Sequence, residues 1–97
     1  MLKMNKPKKH NVELWPEECE TLMRNSMIAS MCDDLLKSPR KRGDYLVLSL
    51  TAGELEELTG WVAAESNHAE SREEEEALDN IFEGLESVLL GINMRDN

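Results

Sequence analysis

Hydrophobic and polar positions in the second half of the chain follow a strand pattern first and a helical pattern afterwards. Alternation over residues 45–50 (YLVLSL) predicts a β-strand with Leu46, Leu48 and Leu50 on one face. Apolar residues then recur every three or four positions over residues 52–91. That spacing predicts two amphipathic helices, which a short connection would fold into an antiparallel hairpin.

Two capping boxes mark the beginnings of these helices. Thr51 with Glu54, and Ser71 with Glu74, have the spacing at which a hydroxyl and a carboxylate each accept a backbone N–H of the other residue. The buried stripe of the first helix is predicted to be Leu55, Leu58, Val62 and Ala69, with Trp61 on its flank. The narrower seam of the second is predicted to be Leu78, Ile81, Phe82, Leu85, Val88 and Leu89.

The first half of the chain predicts one long helix. Pro16 suits a first helical turn, and Pro39 ends the helix at about Lys37, because the residue before a proline is pushed out of helical geometry. A broad apolar arc in its second half predicts packing against two neighbours. This arc contains Met27, Ile28, Met31, Cys32, Leu35 and Leu36. We expect it to be core, with an adaptable partner-binding face as the alternative.

Together these elements predict a mainly α fold of three helices, with one short β-strand between helix 1 and the C-terminal antiparallel hairpin. A lone strand leaves its backbone groups unpaired, so it needs a partner. That partner is either the stretch Val12–Trp15 or the same strand of a second copy. The expected organisation is a flexible basic arm (1–11) and a single small helical domain (12–97), comprising a helix (about 16–37), a basic loop (38–44), a strand (45–50) and the hairpin (52–91).

Charge divides the chain. Residues 1–43 carry nine Lys/Arg and six Asp/Glu, a net of +3, and residues 44–97 carry two and fourteen, a net of −12, which sum to the overall −9. The acidic half would attract a basic protein partner and repel nucleic acid, which leaves nucleic acid only the basic loop to contact. We also expect that loop to fold back on the acidic hairpin, in the same chain or in a dimer mate. Its basic residues are Lys37, Arg40, Lys41 and Arg42.

Cysteine use and hydropathy predict a cytoplasmic protein. Cys19 and Cys32 lie thirteen residues apart, which is about 220° of rotation on one helix, so they would not bridge and are expected to be buried free thiols. No apolar run approaches the ~20 residues of a membrane span. No apolar segment follows the basic start, so no secretory signal is expected.

One short pattern has the composition of a metal site. Glu65 and His68 are three residues apart on a predicted helix, which places a carboxylate and an imidazole on nearby faces. Di-iron bundles use two such pairs with further glutamates. The chain holds one pair, and His68 falls at a helix end, where an imidazole needs no metal to explain it. No nucleophile elbow, cysteine–histidine pair or phosphate-binding glycine loop occurs, so we expect neither catalysis nor a cofactor.

The order strand–helix–helix between Tyr45 and Leu90 resembles the ribbon-helix-helix arrangement. The sequence Leu-Val-Leu-Ser-Leu-Thr-Ala-Gly-Glu-Leu-Glu-Glu-Leu, residues 46–58, carries this resemblance, which covers about half of the chain. It implies a dimer in which two strands pair into a ribbon that enters the DNA major groove. The outward residues would be Tyr45, Val47 and Ser49, none of which is Arg, Lys, Asn or Gln.

The sequence thus predicts a small acidic, non-catalytic protein-interaction or regulatory module that forms homodimers. The alternatives are a ribbon-helix-helix-like transcription regulator or antitoxin and a carboxylate–histidine metal-binding bundle. The candidate interaction residues are Met27, Met31, Tyr45, Val47 and Trp61.

Overall fold

The computed structural model describes the backbone of residues 8–95 and the side chains of residues 8–92. The described part is mainly helical with a small antiparallel sheet, which confirms the predicted class. Its detail differs, because five helices and three strands replace the predicted three and one. The elements are β1 (Lys9–Leu14), α1 (Pro16–Arg24), α2 (Ser26–Met31), α3 (Asp33–Leu36), β2 (Arg40–Arg42), β3 (Tyr45–Thr51), α4 (Ala52–Asn67) and α5 (Arg72–Arg95).

The predicted strand, β3, is the centre of the sheet, whose strand order is β1-β3-β2. β1 pairs with it antiparallel, from Lys9 opposite Thr51 to Leu14 opposite Leu46. This confirms that the strand pairs within the chain, although the partner strand begins at Lys9 rather than Val12 and ends before Trp15. β2 pairs with the other edge of β3, with Arg40 opposite Val47. Both edges of β3 are therefore occupied by its own chain at Leu46 and Val47, which leaves no free edge there for the ribbon of a ribbon-helix-helix dimer, whereas residues 48–51 pair with β1 alone.

Two segments predicted to be irregular are strands. The arm was expected to extend to residue 11, but Lys9–Asn11 belong to β1, so that boundary is wrong; residues 1–7 of the predicted arm lie outside the described residues. The basic loop contains β2 and a tight turn in which Gly43 has a φ of 63°. Glycine adopts this left-handed conformation without a Cβ penalty, and it allows the chain to reverse into β3.

The single helix predicted over residues 16–37 is wrong, because the chain breaks at Asn25 and again at Cys32. At Asn25 the backbone is extended (φ −77°, ψ 112°) and the side-chain Oδ1 accepts the backbone N–H of Ile28 at 2.9 Å. Asparagine competes with helical hydrogen bonding in this way, so it ends α1 and caps α2. Cys32 departs from helical geometry with φ −115° and ψ 22°.

The core forms where the helices pack on the inner face of the sheet. Val12 and Leu14 of β1 and Leu48 and Leu50 of β3 belong to it. The helices contribute Leu22, Ile28, Leu36, Leu55, Leu58, Val62, Leu78, Ile81, Leu85 and Ile92, and Cys32 joins them from the break between α2 and α3. Every residue of the predicted stripes of α4 and α5 is buried or partly buried. Met27 and Met31 are 44% and 50% exposed, so the prediction that they belong to the core is wrong.

The C-terminal hairpin largely follows its prediction. α4 begins with the predicted capping box, in which Thr51 Oγ1 accepts the Glu54 N–H at 3.1 Å and Glu54 Oε1 accepts the Thr51 N–H at 2.8 Å. At the second box, Ser71 Oγ accepts the Glu74 N–H at 3.1 Å. α5 continues to Arg95, beyond the predicted end at Gly91. Within the described residues, no helix has the length and hydropathy needed to cross a membrane.

Candidate functional site

The sheet presents one face away from the core, which we call the outer face. Strand alternation and pairing register place nine residues on it. They are Lys9, Asn11 and Glu13 of β1, Arg40 and Arg42 of β2, and Tyr45, Val47, Ser49 and Thr51 of β3. The sequence alone suggested an outer strand surface without polar readers, but β1 and β2 supply arginine, lysine and asparagine on either side of β3.

Arg40 is held across the middle of this face. Its Nη2 donates to Asn11 Oδ1 at 3.0 Å and to Ser49 Oγ at 3.2 Å, and the Ser49 hydroxyl donates to Asn11 Oδ1 at 3.2 Å. Since Arg40 starts opposite Val47, its side chain passes over the sheet, which explains why Val47 is only 1% exposed. A guanidinium has five N–H donors, and among the described residues the remaining donors of Arg40 have no hydrogen-bond partner.

An aromatic pair closes one end of the outer face. Trp15 follows β1 directly and lies against Tyr45, with ring centroids 4.3 Å apart and planes inclined by 36°. Trp15 remains 46% exposed, whereas Tyr45 is half-buried. The face therefore has cations along its length and an accessible aromatic ring at one end.

The basic side chains do not pair with the acidic helices. In the region between residues 8 and 92, the one ion pair is Arg72 with Glu76, within α5, at 3.5 Å. The expectation that the basic loop folds back on the acidic hairpin is therefore wrong for this chain. β2 instead pairs with the edge of β3, and Arg40 donates across the sheet to Asn11 and Ser49.

Three basic side chains line a pocket beside the outer face, and this pocket has a volume of about 290 Å³. Lys9, Lys37 and Arg40 contribute the positive charge, Ser38 and Ser49 contribute hydroxyls, and Asp34 is the single acid. Its remaining lining is Leu35, Val47 and Leu48. Cations and hydroxyl donors around a small concavity suit a phosphate-sized anion.

An apolar groove opens on the other side of the sheet, with a volume of about 270 Å³. It lies between α1, the end of α3 and β3, and Glu20 is the one charged residue that lines it. The apolar lining is Pro16, Cys19, Met23, Leu36, Pro39, Leu46 and Leu48. Met23 is 48% exposed at this groove. Drug-sized ligand pockets occupy roughly 300–1,000 Å³, so this groove suits anchoring side chains rather than a large cofactor.

Both cysteines are free thiols. Burial raises the pKa of Cys19, and the neighbouring Glu18 carboxylate raises it further. Burial likewise raises the pKa of Cys32, with a smaller contribution from Glu57. A thiol kept protonated is a poor nucleophile and a poor metal ligand.

The candidate metal pair makes hydrogen bonds within the protein. Glu65 Oε1 accepts from Asn25 Nδ2 at 3.1 Å, and His68 Nδ1 lies 2.8 Å from the Ala64 carbonyl oxygen at the end of α4. Within residues 8–95 no three His, Cys, Asp or Glu side chains cluster as metal ligands would. The pair thus joins α4 to the start of α2 and ends α4.

The predicted interaction residues do not form one surface. Met27 and Met31 are exposed on α2, Tyr45 and Val47 belong to the outer face, and Trp61 packs against the core from α4. Of the predicted basic residues, Lys37 ends α3, and Arg40, Lys41 and Arg42 form β2. Sequence reasoning missed Met23 and Asn11, which no local pattern distinguished from their neighbours.

No family model, curated protein or solved structure matches the chain.

Proposed function

We propose that this protein is a non-catalytic interaction module whose apolar groove binds an amphipathic segment of a basic partner protein. The observation that carries the proposal is the groove itself, where exposed Met23 and half-buried Leu46 leave apolar surface uncovered beside the core. Methionine side chains adapt to differently shaped apolar partners, which suits a docking surface.

The charge around the groove indicates the chemistry of the partner. Residues 16–36 carry five acidic residues and one basic residue, a net of −4. Glu20 lines the groove, and Glu17 lies on the same helix. A partner segment with lysine or arginine beside its apolar anchors would therefore be attracted, whereas an acidic segment would be repelled.

A synthetic helical peptide of leucine and lysine tests this docking, with a leucine–glutamate peptide of the same pattern as the charge control. The lysine peptide is expected to bind, and Met23→Gln to weaken binding about tenfold, because one apolar anchor contact is worth about 1.5 kcal/mol. Met31→Gln is the matched control, since Met31 is equally exposed but does not line the groove. Equal losses of peptide affinity in the two variants, or no loss of affinity in either, would contradict the proposal.

A second copy of the chain is the other candidate occupant of the groove, and the homodimer proposed from the sequence is tested separately. Light scattering of the purified chain over a concentration series measures its mass. A dimer that Met23→Gln dissociates assigns the groove to self-association and overturns the basic-partner proposal. A monomer throughout contradicts the homodimer and leaves the groove free for a partner.

A further inference from the structure

We propose that the outer face of the sheet binds single-stranded nucleic acid, with a phosphate in the Arg40 pocket and an unpaired base against Trp15. This inference is independent of the apolar groove, because neither Arg40 nor Trp15 lines the groove, although Leu48 lines both the groove and the Arg40 pocket. It begins from the charge division of the sequence, which the fold converts into two surfaces of opposite sign.

The first support is that the cations converge. β1 and β2 lie on either side of β3, so Lys9, Arg40 and Arg42 share one face although they are far apart in sequence. The opposing acids at or near this face are Glu13, Asp34 and Asp44, and Glu17 and Glu18 lie beside Trp15 at its aromatic end. No described cation of the face has a carboxylate within ion-pair distance, so its charge is free for an outside anion. At physiological salt a Debye length of about 8 Å screens the acidic helices beyond the sheet.

The second support is the orientation of Arg40. Asn11 and Ser49 each accept from Nη2, which fixes the plane of the guanidinium before any ligand arrives. Its other donors have no hydrogen-bond partner among the described residues, and Arg40 lines the pocket together with Lys9 and Lys37. A planar guanidinium binds a phosphate through two parallel hydrogen bonds, and a preorganised one loses less side-chain entropy on binding.

The third support is the aromatic pair, which distinguishes a nucleic acid from an acidic peptide. Exposed Trp15 backed by Tyr45 offers a flat ring on which a base can stack. Only an unpaired base can reach such a ring, so the single strand is favoured over the duplex. From Tyr45 to Thr51 the face is about 20 Å long, at about 3.3 Å per residue, which is room for a few nucleotides.

Fluorescence anisotropy of a labelled twelve-nucleotide single strand, with the full chain, tests the proposal. Binding is expected at about 50 mM salt and should weaken as salt rises to about 200 mM, by a slope of about −0.7 per phosphate contacted. Arg40→Ala should weaken binding at least about fivefold and make the slope shallower by about 0.7. Arg24→Ala is the matched control, because it removes the same charge from α1, away from the face.

A second variant separates recognition from folding. Arg40→Lys keeps the charge but not the planar guanidinium, so it should retain the salt slope while binding more weakly than the wild type. Circular dichroism confirms that each variant keeps its helices. No anisotropy change at about 50 mM salt, or equal effects of Arg40→Ala and Arg24→Ala, would overturn the proposal.

Tryptophan emission reports on the stacking step. Trp61→Phe leaves Trp15 as the only tryptophan, and the oligonucleotide should quench its emission; Trp15→Phe leaves Trp61, which packs against the core and should not respond. Competition distinguishes the ligand classes. If poly-glutamate displaces the strand as well as unlabelled oligonucleotide does, or if duplex binds more tightly, the assignment to single-stranded nucleic acid is wrong.

Discussion

Asn25 joins two helices to Glu65 through one carboxamide group. Its Oδ1 accepts the Ile28 N–H at 2.9 Å and caps α2, while its Nδ2 donates to Glu65 Oε1 on α4 at 3.1 Å. The same residue therefore ends one helix, begins the next and fixes both against the hairpin. A residue that looked like an ordinary helical position in sequence sets the path of the first half of the chain.

Replacing Asn25 should destabilise the protein more than an ordinary polar substitution does. Asn25→Ala removes a helix cap and a hydrogen bond to a carboxylate, together about 2–3 kcal/mol. Asn25→Asp keeps the cap but replaces the amide donor to Glu65 with a second carboxylate, so it should also lower the free energy of unfolding. Urea unfolding measures the free energies, with exposed Asn67→Ala as the control. Equal stabilities of Asn25→Ala and Asn67→Ala would disprove this role.

Two leucines of the hairpin should differ sharply when shortened. Leu58 of α4 is fully buried in the core, whereas Leu90 of α5 is 56% exposed. Leu58→Ala leaves a cavity and should lower the free energy of unfolding by about 2–5 kcal/mol. Leu90→Ala should change it by less than about 0.5 kcal/mol. Thermal or urea unfolding of both variants checks the prediction, and a large loss at Leu90 would indicate that a partner surface covers it.

Two glycines should respond to alanine in opposite directions. Gly43 has a φ of 63° between β2 and β3, so Gly43→Ala should cost about 1–2 kcal/mol. Gly84 is exposed within α5. A Cβ atom added at Gly84 would have no described atom within 4 Å, apart from the backbone of its own helix. Gly84→Ala should therefore stabilise the protein by about 0.5–1 kcal/mol. Melting temperatures of the two variants should move apart, and a stabilised Gly43→Ala would show that the turn does not need its left-handed residue.

The thiols should lower stability at alkaline pH. The pKa values of Cys19 and Cys32 are raised above the ordinary 9.0, so the folded protein holds these protons at a pH where the unfolded chain releases them. The contribution of the two thiols to the free energy of unfolding is complete below pH 9. It is lost as the pH rises through their pKa values in the folded protein. Urea unfolding between about pH 7 and 10.5 measures the loss, and Cys19→Ala/Cys32→Ala should flatten the curve.

Alkylation by iodoacetamide gives an independent measure of the same thiols. Both should react more slowly at neutral pH than a free cysteine, because little thiolate is present. Half-buried Cys19 should react before fully buried Cys32. Rapid labelling of Cys32 under native conditions would contradict its place in the core.

Local patterns were sufficient for the hairpin but not for the sheet. The Thr51–Glu54 capping box and the apolar spacing of α4 act over a few residues, so they could be predicted from the sequence alone. β2 has three exposed basic residues with no apolar alternation, and only its pairing with Tyr45–Val47 makes it a strand. The candidate binding residue Arg40 was identified by charge, but its partner Asn11 lies twenty-nine positions away and could not be connected to it.

The sequence by itself determined the mainly helical class, the strand at residues 45–50, the capped helices that follow it and the division of charge, because each depends on neighbouring residues. The tertiary structure alone decided that the first helix breaks at Asn25, that Met27 and Met31 are exposed, and that the basic segments lie on both sides of β3. These outcomes depend on contacts between residues distant in the chain, where hydrogen bonding and burial outweigh local propensity.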